Sequence, residues 1–575
     1  MKKHLVMVFI LLVLTGFLLF LQFRFPLVLN MDGGYNAANV KALMSFKSMP
    51  YDGSPPVPFA LSAIFGLMFS SASIGIKIVV TMSLVAVGLL IYLFVRKITG
   101  DDIAAIAALA GWCVSTAIVT YPMGYLKQTV ALPFLVGGLM SLYLLFTEKK
   151  KLLWGLFFAL SFPLVYLSHS PSFLALLASS YVIAAIMLAF SETKTQKIFG
   201  FSMLILFILG LASTPWTLPI LAKKMIQIDP KGYSTIAIYL KGLFAFRFEQ
   251  SVDFRGFDWL LATVPVFGLA FCARAGWKKF TLWSLGFLAG IFVLSCFLAK
   301  YEWQGRNVMT MLVPLSMMMG LGFYEASGLL FKEKLQKTTA AVLVAICVFL
   351  MAGYQSTAIK YAKTGKPIIT EEQLSDLSAF ISPFDQSIKE NLYARHGLRF
   401  WATYATGDPV GVFFYDWDRK TFAIRKSRGE EDVGESRKPD REDYLFVSKR
   451  PLFGCRIEKL SAPNFKAYVP EQAQEYIKVT VRTTSPIRSL RLTFRDEMWR
   501  LVYQQDMKNV LPGEYLDFGK LLNGIKRGTY YLQVTGDSHS TVPFMVKVTE
   551  NLLSYSEKPF GAVSESKDFV LVRIK

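Results

Sequence analysis

Asn30-Met31-Asp32-Gly33-Gly34-Tyr35-Asn36-Ala37-Ala38-Asn39 stands just past an apolar run, Leu5 to Leu21, that is long enough to cross a bilayer. This places a carboxylate at the boundary between membrane and water. Two glycines follow it and let the backbone approach a ligand closely. A helix is expected to begin at once, with small residues facing in and Asn39, Lys41 and Lys47 facing out. Next comes a rigid, turn-rich stretch, Met49-Pro50-Tyr51-Asp52-Gly53-Ser54-Pro55-Pro56-Val57-Pro58. The uncharged segment Phe59 to Phe69 is too short to span comfortably and is expected to lie along the interface.

The chain has 575 residues, 53% of them hydrophobic, and a mean hydropathy of +0.41. That composition belongs to an integral membrane protein. Met1-Lys2-Lys3-His4 precedes the first apolar run, but Arg24-Phe25-Pro26 follows it in place of a small-residue cleavage site, so an uncleaved first span is expected. The net charge of +21 does not indicate a nucleic-acid partner, because much of the basic excess lies in short loops between apolar runs. The five cysteines form no Cys-x-x-Cys and read as small hydrophobes.

At 1.5 Å per residue a span needs about 20 apolar residues, and by that rule there are about eleven spans. They lie near 5–23, 74–95, 103–121, 129–147, 152–168, 172–190, 198–220, 258–273, 280–299, 308–328 and 338–355. Arg96-Lys97, Lys149-Lys150-Lys151, Lys194 with Lys197, Arg274 with Lys278-Lys279, and Lys332-Lys334-Lys337 all fall on the side of Lys2-Lys3. The positive-inside rule then makes the N-terminus cytoplasmic and, with an odd number of spans, the tail extracytoplasmic. A multi-pass protein of the cell membrane is expected. Its elaborated loops are all outside, which puts the chemistry outside too.

The expected architecture is an α-helical polytopic membrane domain over 1–360, followed by an external tail. Residues 361–450 read as a small α/β region, with a helix from Glu371 to Ile381, a helical or mixed stretch from Tyr393 to Tyr404, and strands at Val410–Tyr415 and Tyr444–Val447. The charged segment Arg425 to Glu442 reads as a mobile loop. Residues 451–550 show period-two alternation broken by turns, as in an immunoglobulin-like β-sandwich. The last segment, 551–575, ends in a strand that suits Asp443 to Ser448, so the sandwich would be inserted within the α/β region.

The opening loop resembles that of the GT-C superfamily, multi-pass glycosyltransferases that use polyprenyl-phosphate-linked sugars. In that superfamily an acidic residue sits in the first external loop, followed by short interfacial helices and a Pro-rich entry into the next span. The matching pieces are Asp32-Gly-Gly-Tyr35 and Pro55-Pro56-Val57-Pro58-Phe59. A second echo is Trp303-Gln304-Gly305-Arg306-Asn307 ahead of a late span. The resemblance covers roughly residues 1–360 and is one of architecture. It implies transfer of a sugar from a polyprenyl-phosphate carrier, in contact with membrane lipid, to a glycan, lipid or protein acceptor. The tail lacks the Trp-Trp-Asp-Tyr-Gly pentapeptide of oligosaccharyltransferase catalytic subunits, which argues against asparagine glycosylation.

Each candidate residue has a plain structural reading beside the functional one. Asp32 is either a general base toward the acceptor, and the ligand offered for a divalent metal, or a helix N-cap. Tyr35 belongs to the same motif as a substrate contact. Asp52, in Tyr51-Asp52-Gly53-Ser54, is a second carboxylate or a turn residue. A departing phosphate needs cations, and Arg306 and Lys127 lead the external candidates. Arg306 also suits an i,i+4 pair with Glu302. His169 is a ligand for metal or sugar, or a helix-end contact. Asp416-Trp417-Asp418 reads as a surface turn. The rival functions are a non-catalytic relative whose sandwich binds an envelope partner, and a transporter. Span centres nearly free of charge disfavour the transporter.

Overall fold

The computed structural model describes residues 2–190, 278–293 and 367–574, with short internal gaps, and a few helical residues within 197–205 and 310–325. The chain divides into two units: 1–24 with 55–365, and 25–54 with 366–575.

The first unit is helical. α1 (Lys2–Phe23) buries Leu14, Leu18 and Leu21, spaced four and three apart, while Leu5, Phe9, Leu12 and Phe20 stay exposed. A helix with apolar residues on its outer face as well is built for lipid, and the unit is a membrane protein by that criterion. α3 (Pro56–Met68) starts on a proline, which suits a first turn that needs no donor. α4 (Ala72–Thr99) is capped by the Ser71 hydroxyl on the Ile74 amide and stopped by Gly100 in the left-handed region. α5 (Asp102–Cys113) and α6 (Ala117–Thr120, continued as a 3₁₀ turn to Met123) meet at a 46° bend. α7 (Leu126–Thr147), α8 (Lys151–Tyr166), α9 (Ser170–Ala189) and α10 (Lys278–Val293) follow in this unit.

Glycine sets two of the helix crossings. A Cβ on Gly75 of α4 would collide with the backbone of Ser62 and Gly66 in α3. Gly290 of α10 lies as close to the backbone of Ser179 in α9. Small residues let helices touch where lipid supplies no hydrophobic force between them. Gly75→Val should therefore destabilise the α3–α4 pair by roughly 1–3 kcal/mol, read as earlier thermal aggregation in detergent. In this unit the buried indoles of Trp112 and Trp283 are satisfied: Trp112 Nε1 donates to the Leu84 carbonyl at 3.1 Å and Trp283 Nε1 to that of Leu139 at 2.8 Å.

Four of these helices are long and apolar enough to cross a membrane, or five if the bent pair counts as one span. The run at 103–121 is thus a broken helix rather than a straight one, and α8 has only 16 residues. Of the remaining expected spans, 258–273 and 338–355 lie outside the described residues, and 198–220, 280–299 and 308–328 are described only in part.

The second unit joins the opening loop to the tail. α2 (Gly33–Met44) belongs here, as do α11 (Glu371–Ile381), α12 (Gln386–Glu390) and α13 (Leu398–Thr406). α11 begins with a capping box between Thr370 and Gln373. The strands of one sheet are β1 (Leu392–Ala394), β2 (Gly411–Asp416), β3 (Thr421–Arg425), β6 (Tyr444–Ser448), β17 (Phe560–Glu565) and β18 (Phe569–Ile574), with a small hairpin, β4 (Ser427–Arg428) and β5 (Glu431–Asp432), beside it in sequence. The order is β17-β18-β6-β1-β2-β3, with β1 parallel to both neighbours. β18 runs antiparallel to β6, Val570 opposite Val447.

Two further sheets follow in the chain. β7 (Ile457–Ala462), β8 (Phe465–Pro470), β10 (Tyr476–Thr483) and β13 (Tyr515–Leu521) form one, in the order β13-β10-β8-β7. The other runs β12-β11-β14-β16-β9, from β9 (Gln472–Ala473), β11 (Ile487–Asp496), β12 (Leu501–Val510), β14 (Gly528–Gly536) and β16 (Phe544–Val548), with β15 (His539–Ser540) paired to β14. Alternate residues of both sheets, among them Val479, Val481, Phe518, Leu492, Phe494 and Leu532, share one core.

The charged segment 425–442 is anchored where it is described. Arg437 makes two hydrogen bonds of 2.7 Å to the buried Asp443 carboxylate, which also accepts the Asp440 amide at 2.8 Å. Those bonds hold the Arg437 guanidinium more firmly protonated than usual. The composition signals disorder, but a buried partner just past the segment overrides it. Asp443→Ala should cost about 1–3 kcal/mol and open the segment to trypsin, measured by limited proteolysis of the full chain.

Candidate functional site

Asp32 sits immediately before α2 with φ −80° and ψ 0°, and its carbonyl accepts the Asn36 amide at 2.9 Å. Its side chain makes no capping hydrogen bond, so the plain N-cap reading does not describe it. The carboxylate is partly exposed and has no hydrogen bond or ion pair with the described residues. The turn that delivers it is tightly built. Asn30 takes a left-handed φ of 69° and bridges to Pro367, and the Gly33 amide donates to the Asn30 carbonyl at 3.2 Å.

The two glycines serve this turn rather than a ligand. A Cβ on Gly33 would lie 2.6 Å from the Val28 carbonyl oxygen, and one on Gly34 would lie 2.9 Å from the Trp401 nitrogen and 3.0 Å from the Phe400 carbonyl carbon. α2 can therefore rest directly on the start of α13. Tyr35, Tyr51 and Phe400 form a ring cluster with centroids 5.1–5.5 Å apart. The Tyr51 hydroxyl lies 2.9 Å from Thr403 Oγ1, and Lys41 Nζ donates to the Tyr404 carbonyl at 2.8 Å.

Tyr35 is buried, with its hydroxyl 2.5 Å from Ser54 Oγ, and burial foremost, with the nearby Asp32 charge adding, pushes the phenol well above its ordinary pKa. It supports the turn from behind. Asn39, expected on the outer face, is fully buried and accepts the Tyr51 amide at 3.4 Å. Asp52 lies outside the described residues.

In the helical unit, Lys127 is the second residue of α7 and half-buried. Its neighbour Gln128 is buried and donates to Thr310 Oγ1 at 3.5 Å. Thr310 follows Arg306 by four positions; Arg306 and Glu302 themselves lie outside the described residues. His169 is the N-cap of α9, with Nδ1 accepting the Ser172 amide at 3.3 Å and 2.8 Å from its hydroxyl. Nδ1 is thus engaged at the helix end, as the plain reading has it.

Lys77 is a further cation of this unit. It lies in the second turn of α4, only 1% exposed, with Nζ 5.1 Å from the centre of the Phe23 ring. Its one signal was being the lone charge early in a long apolar run. Among the described residues no three metal-ligating side chains converge.

No family model and no curated protein matches the chain. Solved structures similar to it include these two. One is the Archaeoglobus fulgidus oligosaccharyltransferase, crystallised with zinc and sulfate, at 11% identity and a TM-score of 0.47, covering 94% of this chain and 98% of that one. The other is ArnT from Cupriavidus metallidurans in the apo state, at 12% identity and a TM-score of 0.44, covering 70% of this chain and 85% of that one.

Proposed function

We propose that this protein moves a sugar from a polyprenyl-phosphate carrier to an acceptor hydroxyl or amine at the outer face of the cell membrane. The observation that carries the reading is Asp32. It is a carboxylate on a rigid turn, open to solvent on one side, and the turn does not need it. In the reaction the acceptor heteroatom attacks the anomeric carbon, the bond from that carbon to the phosphate oxygen breaks, and Asp32 takes the acceptor proton. The phosphate leaves with the electron pair and requires cations. Arg306 and Lys127 are assigned that role. Lys77 is a third cation to test. His169 and Tyr35 act as positioning residues, and Asp52 and Glu302 keep their assignment as substrate contacts. Asp32 is the residue offered to a divalent metal, if the reaction uses one.

The same reading takes the full chain as about eleven spans, N-terminus inside, with 451–550 an immunoglobulin-like sandwich inserted in an α/β region made of 361–450 and 551–575. The β18–β6 pairing and the core shared by the two later sheets support that partition. The deciding assay reconstitutes the full chain with a radiolabelled polyprenyl-phosphate sugar and membrane lipid, glycan and peptide acceptors. Label appearing in an acceptor through a new glycosidic bond supports the proposal. Label crossing the vesicle while still on its carrier would replace it with transport.

A further inference from the structure

Between the second half of α4, the middle of α7 and α8 lies a cavity of about 600 Å³, within the ~300–1,000 Å³ typical of ligand-holding sites. Two glycines on α7 explain it. Gly138 is pressed against Ser161 of α8 and closes one contact. Gly137 has the opposite surroundings: a Cβ there would meet only Leu90 Cδ1, at 3.9 Å. Pro133 and Pro163 sit inside α7 and α8, where each removes a backbone donor from its helix.

The wall is apolar, with Phe134 and Leu164 among its residues. Leu93, Phe157 and Leu160 on its rim are 48%, 51% and 56% exposed, so the cavity opens sideways toward the lipid. At one end stand Lys97 and Trp154. Lys97 is paired with Glu148 at 3.2 Å. Just beyond, Lys149, Lys150 and Lys151 are exposed at the start of α8, and none has an ion pair with the described residues. This is the end of α7 remote from Lys127.

A lipid chain gains no hydrophobic free energy by leaving other lipid tails for an apolar cavity. Shape alone would therefore select weakly, and the charge at the mouth decides the occupant. Three unpaired lysines and the positive end of a 16-residue helix favour a phosphate anion at headgroup level. We infer that the cavity seats one acyl chain of an anionic glycerophospholipid whose phosphate is held by Lys149–Lys151. This is a lipid site separate from the proposed reaction centre.

The test uses the full chain in mild detergent, mixed with equal amounts of phosphatidylglycerol and phosphatidylcholine of identical acyl chains, and read by native mass spectrometry. One phosphatidylglycerol should stay bound after detergent is stripped, preferred about tenfold over phosphatidylcholine. Gly137→Leu fills the cavity and should lose that lipid. The surface triple Lys149→Gln, Lys150→Gln, Lys151→Gln should still hold one lipid but no longer distinguish the headgroups. Equal retention of both lipids by the unmodified chain, or unchanged retention by Gly137→Leu, would overturn the assignment. So would displacement of the bound lipid by farnesyl phosphate, or an intact headgroup preference in the triple variant.

Discussion

Asp32→Asn should leave the protein folded and lower glycosyl transfer by a factor of about 10²–10⁴. The amide keeps the size and the hydrogen-bonding shape of the side chain but cannot take up the acceptor proton. Folding should be indifferent because the carboxylate does not cap α2 and has no ion pair with the described residues. Ordinary N-cap losses of about 1 kcal/mol therefore do not apply. The readouts are turnover with a labelled polyprenyl-phosphate sugar and thermal unfolding of the same preparation. Full turnover in the Asn variant removes Asp32 from the chemistry and leaves a binding module as the better reading. Lost turnover with lowered stability would instead make it a structural residue.

Local pattern carried the tail far into view. The helix from Glu371 to Ile381 was legible to the residue, since its amphipathic face and its start signals lie within one short window. Strands such as Tyr476–Thr483 and Gly528–Gly536 alternate strictly between core and surface, and that rhythm is visible in the letters alone. Ile457–Ala462 is hard to read from sequence because it is an edge strand, exposed at every second position, with charged Glu458 and Lys459 inside it. The bend near Ser115 escaped for another reason: no proline or glycine marks the break.

At the candidate site the hidden part was the partner. Asp32 could be singled out from its position, but the role of its glycines could not. The surface that needs them, Phe400 and Trp401, comes from the other end of the chain. The burial of Asn39 comes from nearer by, twelve residues on. A helix read alone exposes its polar residues. This one lays Asn39 against Tyr51, delivered by a separate turn. Where structure depends on contacts between segments distant in sequence, local periodicity has nothing to report.

Gly34 carries the second large effect. A methyl group there would lie about 3 Å from the Phe400 carbonyl carbon and the Trp401 nitrogen, which are backbone atoms of a packed helix. No rotamer change relieves such a contact; α2 must lift away from α13. Gly34→Ala should cost roughly 1–3 kcal/mol, and Gly34→Leu more. Lifting α2 would loosen the Tyr35–Phe400 ring contact and the Lys41–Tyr404 bond together, since Tyr35 and Lys41 lie on α2 and Phe400 and Tyr404 on α13. Gly16→Ala is the internal control: nothing lies within 4 Å of its Cβ, and alanine is the better helix former. Gly34→Ala should lower the thermal unfolding temperature and speed tryptic cleavage at Lys41 and Lys47, and Gly16→Ala should do neither. Because the same turn aims Asp32, Gly34→Ala should also lower turnover while sparing every group in the reaction. If stability fell with turnover intact, the carboxylate would not depend on this turn for its position, and the case for a preorganised base would fail.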